Sequence, residues 1–169
     1  DAGRGLLLRG LGDGRLVPLP AAESGIRIDG EQRGVVVGDL DRDGRVDLVV
    51  GQNGAETRWN RNRTAIPGIR VRLNAGPRNP DGVGAVARLE TGGRRGSAWP
   101  VLAGSGWWSQ SSPELVIPRP PGGEEAFLTV RWADGRSTRV ELPKGADAVE
   151  VDREGLRGQV DGAEKIDRP

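Results

Sequence analysis

The chain contains no histidine and no cysteine among its 169 residues. Their absence excludes the usual zinc sites, disulfide bonds, thiol nucleophiles and imidazole bases. Tyrosine and methionine are absent as well. Because position 1 is Asp1 rather than methionine, we expect a chain that begins after processing or that is a piece of a longer protein.

Long apolar runs are also missing, since no stretch approaches the roughly 20 residues that a membrane span needs. The 28 glycines and 12 prolines disfavour long helices and favour short strands joined by turns. The 25 basic residues nearly cancel the 24 acidic ones and alternate with them along the chain, so no surface for nucleic acid is expected. The composition predicts an all-β protein.

The first of two predicted units covers residues 1–66. Its apolar segments are short, and an Asp-Gly pair between the first two of them is typical of a β-hairpin. A valine-rich strand then leads into an acidic loop, and a second valine-rich strand leaves it. The segments are residues 6–8, 16–19, 34–38 and 48–50.

The second predicted unit covers residues 67–152. Ile69, Val71 and Leu73 alternate with the polar residues Arg70, Arg72 and Asn74, which predicts a half-buried strand. Near residues 128–142, two alternating segments flank an Asp-Gly turn, the pattern of another hairpin. The remaining residues, 153–169, are charged and contain glycine, and we interpret them as a frayed polar tail.

The acidic loop places four aspartates at positions 1, 3, 5 and 9 and a glycine at position 6. These residues are Asp39, Asp41, Asp43, Asp47 and Gly44. Oxygen ligands at this spacing suit Ca²⁺, and the backbone carbonyl of Arg45 at position 7 would add another ligand. The alternative is a solvated acidic turn in which Arg42 and Arg45 neutralise half of the charge.

Several of these motifs resemble known families. The D-x-D-x-D-G-x-x-D loop between strands resembles the calcium loop of FG-GAP or VCBS repeats, the blades of β-propellers. The second unit resembles the ASPIC and UnbV domain, which follows such repeats in secreted bacterial proteins and in cartilage acidic protein. The matching segments are NPDGVGA at 79–85, AGSGWWSQSS at 103–112 and VRWADGR at 130–136. The resemblance implies one blade-like unit with a calcium loop, followed by a β-sandwich or barrel-like domain.

A secreted, extracellular bacterial location and a non-catalytic role in adhesion or recognition follow from this resemblance as expectations. One blade cannot form a propeller, which needs about 4–8, so we expect either upstream blades or other copies of the chain as partners. A structural protomer of an extracellular filament, assembled through Leu6, Leu7 and Leu8, is the alternative. A hydrolase using Glu90, Glu114 or Asp134 is a third hypothesis that the spacing does not single out.

Trp107 and Trp108 are adjacent in a loop of serine and glycine. Two indoles in such a loop suit stacking on sugar rings, which would make carbohydrate or a cell-surface protein a partner. The other interpretation, which the sequence favours, is that at least one indole fills the β core.

Overall fold

The computed structural model describes residues 5–120, 122 and 124–159. It is all-β apart from one short helix, α1 (Ala21–Ser24). The strands are β1 (Leu7–Gly10), β2 (Leu16–Leu19), β3 (Gln32–Gly38), β4 (Asp47–Gln52), β5 (Arg58–Asn60), β6 (Ile69–Asn74), β7 (Val86–Thr91), β8 (Arg94–Pro100), β9 (Leu115–Ile117), β10 (Ala126–Arg131), β11 (Ser137–Glu141), β12 (Ala148–Asp152) and β13 (Leu156–Gln159). No helix among these residues is both long and apolar enough to cross a bilayer.

Two four-stranded sheets form the second unit, in the orders β11-β10-β7-β8 and β13-β12-β6-β9. Alternate side chains of both sheets, among them Val71, Leu73, Leu128 and Val130, enter one apolar cluster. Trp132 is the largest fully buried side chain of that cluster. Neither sheet closes on itself. The two sheets therefore enclose one core as layers, and the barrel-like interpretation is wrong.

The first unit contains two separate sheets. Strands β1 and β2 pair as the expected hairpin, and β3, β4 and β5 form a three-stranded antiparallel sheet. A propeller blade has four strands, whereas the described part of this sheet has three. The acidic loop joins β3 to β4, as the sequence predicts.

Two sequence predictions need correction. Arg70 does not face solvent: it is buried on β6, because the first unit covers that part of the strand. The polar tail is also shorter than expected, since its residues 156–159 form β13, which pairs with β12 as the edge strand of that sheet. Beyond β13, residues 160–169 of the expected tail lie outside the described residues.

Candidate functional site: the acidic loop and its surroundings

The acidic loop folds around its first carboxylate. Asp39 accepts hydrogen bonds from the backbone N–H groups of Asp43 (3.0 Å) and Gly44 (2.8 Å). Gly44 has a φ of 80°, a left-handed conformation that glycine adopts without steric cost. These bonds reverse the chain within six residues and direct the alternating aspartates towards the same region.

Three of the four aspartates come together. Asp39, Asp41 and Asp43 each present a carboxylate oxygen, and these oxygens lie within 4.8 Å of one another. The Asp39 side chain is only 1% exposed, whereas Asp41 and Asp43 are 18% and 20% exposed. The group is therefore closed on the side of Asp39 and accessible from the side of the other two. Such a set of oxygens is the donor type that hard divalent cations prefer.

The fourth predicted ligand, Asp47, lies outside this group. Its buried carboxylate accepts a hydrogen bond from the indole N–H of Trp59 (3.2 Å) and another from the backbone N–H of Asn62 (2.8 Å). It connects the start of β4 to β5 and to the segment that follows β5. In this arrangement Asp47 is a structural hydrogen-bond acceptor.

Arg45 contacts the group through its side chain. Its Nη1 donates to Asp43 Oδ2 (2.9 Å), and its Nε donates to the carbonyl of Ala65 (2.6 Å). The backbone carbonyl of Arg45 was predicted as a ligand, and its side chain was predicted to neutralise the loop only in the alternative of a solvated acidic turn, which the Arg45–Asp43 pair fits. The side chain also ties the acidic loop to the connection between the two units.

Each clustered carboxylate has its own arginine. Arg45 pairs with Asp43, Arg61 pairs with Asp41, and Arg70 Nε lies 3.9 Å from Asp39 Oδ2. Burial raises the pKa of Asp39 above its ordinary value of 3.8, while the backbone N–H bonds and the charge of Arg70 act in the opposite direction. Sequence reasoning missed Arg61 and Arg70, because both are distant in sequence from the loop that they neutralise.

The loop is also held against the second unit. The carbonyl of Gly44 accepts a hydrogen bond from the N–H of Gly68 (2.7 Å), just before β6. A side chain at Gly68 would meet the backbone carbonyl of Ile117 at 2.4 Å, so only glycine fits between the acidic loop and β9 at this position. The acidic loop is therefore part of the contact between the two units.

A second contact covers the free edge of β3. We call residues 103–112 the serine loop. The N–H of Ser112 donates to the carbonyl of Val37 (3.0 Å), and the N–H of Val37 donates to Ser111 Oγ (3.3 Å). Because β3 is the outer strand of its sheet, these bonds satisfy part of an edge that would otherwise be open.

The comparisons with known proteins concern the second unit. Residues 75–157 match the family model named ASPIC and UnbV. No curated protein and no solved structure matches the chain. The matched region, here called the ASPIC/UnbV region, includes the serine loop and strands β7 to β12, and it begins well after the acidic loop. The expected ASPIC and UnbV resemblance is confirmed over these residues, and the FG-GAP or VCBS resemblance stays a prediction.

Two indoles project from the serine loop of the ASPIC/UnbV region. Trp107 is 71% exposed and Trp108 is 86% exposed, so the interpretation that one of them fills the core is wrong. Trp132 fills the core instead. The two rings are parallel to within 4°, with centroids 6.2 Å apart. Trp108 has a φ of 49°, a conformation that is rare for a bulky residue and that the surrounding structure must hold.

The remaining predicted residues lie outside the acidic loop, and of these Glu114 shares Arg70 with Asp39 of that loop. Leu6, Leu7 and Leu8 are all exposed, next to or within the two-stranded hairpin. The three carboxylates of the hydrolase hypothesis do not converge. Glu90 and Asp134 lie at opposite ends of the β10 hairpin, and Glu114 precedes β9 in the other sheet.

Proposed function

We propose that this chain is a non-catalytic, extracellular recognition module that Ca²⁺ stabilises at the acidic loop. The observation that carries the proposal is the approach of three carboxylate oxygens, from Asp39, Asp41 and Asp43, to within 4.8 Å of one another. Ca²⁺ takes 6–8 oxygen ligands and tolerates irregular geometry. Water and backbone carbonyls would complete its coordination on the open side of the group.

The arginines explain how the loop keeps its shape without a cation. Three arginines offset three carboxylates, so the loop carries little net charge in the metal-free chain. Because this compensation weakens the attraction for Ca²⁺, we expect the weak affinity of extracellular modules, a Kd of about 10⁻⁴–10⁻³ M. The role of the cation is then structural, since coordinated carboxylates leave no nucleophile or base in the loop.

The recognition surface that we propose is the pair Trp107 and Trp108. A contiguous exposed apolar surface often marks an interaction site, and these two stacked indoles form such a surface. The serine loop contributes no charged side chain. A neutral partner, either carbohydrate or an uncharged patch of a cell-surface protein, therefore suits this surface better than a charged one.

We further propose that the sheet of β3, β4 and β5 is a blade-like unit of the FG-GAP or VCBS type. Its two faces both carry apolar side chains, as the register shows: Val35 and Val37 lie on one face, and Val36, Val49 and Trp59 lie on the other. Val35, Val37 and Trp59 are all exposed. Apolar residues on both faces are typical of a sheet that is covered on both sides. Upstream propeller blades or further copies of the chain would supply the cover.

Calcium binding is tested by calorimetry on the 169-residue chain and on Asp41→Ala. We expect one weak site in the parent and none in the variant. Asp81→Asn is the matched control, because Asp81 is exposed and lies outside the acidic loop. At a calcium concentration of 100 times Kd, the folded state gains about 2.7 kcal/mol, which raises the melting temperature by roughly 5–10 °C. Equal binding by the parent and by Asp41→Ala would refute the proposed site.

A second candidate function is that of a filament protomer, favoured by the exposure of the β1–β2 hairpin. A two-stranded hairpin is marginally stable alone, and both of its strands are edges within the described sheet. Strand addition from another copy would stabilise it, and a head-to-tail interface that does not close produces a filament.

Assembly is tested by light scattering and electron microscopy on the chain and on Leu7→Asp. We expect filaments from the parent and none from the variant, because the substitution places a charge in the proposed contact. Arg9→Asp, which changes charge on the same strand, is the control for non-specific electrostatic effects. A parent chain that stays monomeric at high concentration with calcium present would exclude the filament.

A further inference from the structure

Arg70 joins two carboxylates that belong to different units. Its side chain is 7% exposed. Nε lies 3.9 Å from Oδ2 of Asp39 in the acidic loop, and Nη1 lies 4.0 Å from Oε1 of Glu114, which precedes β9. A guanidinium has donors in a fixed planar arrangement, so it can face two carboxylates at once. The ammonium group of lysine is less suited to this.

The two carboxylates follow the two segments that pair with each other. Asp39 is two residues beyond Val37, and Glu114 is two residues beyond Ser112. Val37 and Ser112 share the hydrogen bond that places the serine loop on the edge of β3. Arg70 therefore lies next to both the end of β3 and the end of the serine loop.

Burial makes this ion pair sensitive to the loss of any member. A buried charge is tolerated when opposite charges face it, and removing one partner leaves the other uncompensated. Among the described residues, the carboxylates within 4.0 Å of the Arg70 guanidinium belong to Asp39 and Glu114. Any change in the charge of Asp39 therefore alters the strength of the Arg70–Glu114 ion pair. Because Glu114 follows the serine loop, this change also affects how firmly that loop is held.

We propose that Arg70 is a positioning residue that fixes the indole-bearing serine loop to the acidic loop, so that a cation at Asp39 and a ligand at the indoles affect each other. The calcium-dependent part rests on the proposed function above. A cation at Asp39 draws the carboxylate's charge away from Arg70, which then pairs more closely with Glu114. By linkage, the ligand changes cation affinity by the same factor as the cation changes ligand affinity.

The first test uses the metal-free chain and the near-ultraviolet circular dichroism of the indole pair. The contribution of Trp107 and Trp108 is the difference between a protein and the same protein carrying Trp107→Phe and Trp108→Phe. We expect Arg70→Gln to more than halve this difference signal. Arg131→Gln is the matched control, because Arg131 is exposed at the end of β10 in the other sheet, and it should keep the full signal.

Glu114→Gln provides a second variant in case Arg70→Gln does not fold. Glu114 is at the surface side of the ion pair, with a side chain that is 36% exposed, so its loss should be tolerated. It removes the link between Arg70 and the serine loop but leaves Asp39 in place. We expect it also to more than halve the indole signal. An unchanged indole signal in Glu114→Gln, or in a folded Arg70→Gln, would overturn the positioning role.

The second test adds calcium. In the parent and in Arg131→Gln, we expect the indole signal to change with the same midpoint as calcium binding by calorimetry. In Glu114→Gln, calcium should still bind while the indole signal stays constant. Calcium that binds the parent without changing its indole signal would refute the coupling alone. Absence of calcium binding in the parent would refute both the proposed function and the coupling, while the metal-free test would still decide the positioning role.

Discussion

Arg61 is the arginine that a cation would have to displace from the acidic loop. Its Nε pairs with Asp41, its Nη2 lies 3.7 Å from Asp43 Oδ2, and its side chain is 45% exposed. Arg70 is buried and cannot move into water without disturbing the contact between the units. Arg61, which is already partly exposed, can move into water at little cost in free energy. Replacing Arg61 with glutamine should therefore strengthen calcium binding.

The size of the effect follows from the charges and their separation. At roughly 6 Å and a water-like dielectric, repulsion between a unit charge and a divalent cation amounts to about 1.4 kcal/mol. That energy corresponds to about a tenfold change in Kd. We therefore expect Arg61→Gln to bind Ca²⁺ about ten times more tightly than the parent. Salt should reduce the difference, because the pair is partly exposed.

Calorimetry at low and at high ionic strength measures this effect. Arg63→Gln is the control, since Arg63 is an exposed arginine two residues away that forms no ion pair with the clustered aspartates among the described contacts. Calcium affinity that is equal in Arg61→Gln and in the parent, at low salt, would refute the idea that Arg61 competes with the cation. A weaker affinity would indicate that Arg61 holds the loop in its binding shape.

Three further predictions concern stability and the ligand set. Asp47→Asn should lower the melting temperature, because the buried hydrogen-bond acceptor loses its charge, and it should leave the calcium Kd unchanged in calorimetry. Loss of calcium binding in this variant would instead indicate that Asp47 is a calcium ligand. Thr138→Val should cost about 1–3 kcal/mol in denaturant unfolding, because it leaves the buried indole N–H of Trp132 without its acceptor at 2.8 Å. The pKa of Glu90 lies below its ordinary 4.5, chiefly because Arg139 donates to it, so it contributes stability above pH 4.5 that is lost as pH falls through the folded-state pKa. Glu90→Gln should lose that part of the acid dependence in melting curves recorded between pH 3 and pH 7, and an unchanged pH profile would contradict this assignment.

Local patterns were enough to predict most of the strands. The alternation of Val71 and Leu73 with polar residues specifies which side of β6 enters the core, and the turn at Asp134 specifies the β10–β11 hairpin. The grouping of Asp39 with its two neighbouring aspartates was also predictable, because residues two apart in a tight turn converge. In each case the cause lies within about ten residues of its effect.

What the sequence could not predict depends on contacts between distant segments. Arg70 continues an alternating pattern that predicts exposure, and it is buried only because the acidic loop lies against it. Asp47 has the spacing of a ligand, but its oxygens accept hydrogen bonds from Trp59 in β5 and from Asn62, which follows β5. Trp107 is as apolar as a core residue, and yet Trp132 already occupies the core. No local pattern contains this information.

The distribution of buried apolar residues explains why the first unit needs external support. The apolar cluster of the described residues begins at Ile69 and lies within the two four-stranded sheets. In the described part of the first unit, Ile28 and Val50 are the buried hydrophobic residues. Hydrophobic burial is the main favourable term in folding, so hydrogen bonds, ion pairs and contacts with the second unit must hold the first unit in place. The arginine-compensated acidic loop and the serine loop lie at those contacts, and a cation or a covering partner would add stability where the apolar core contributes least.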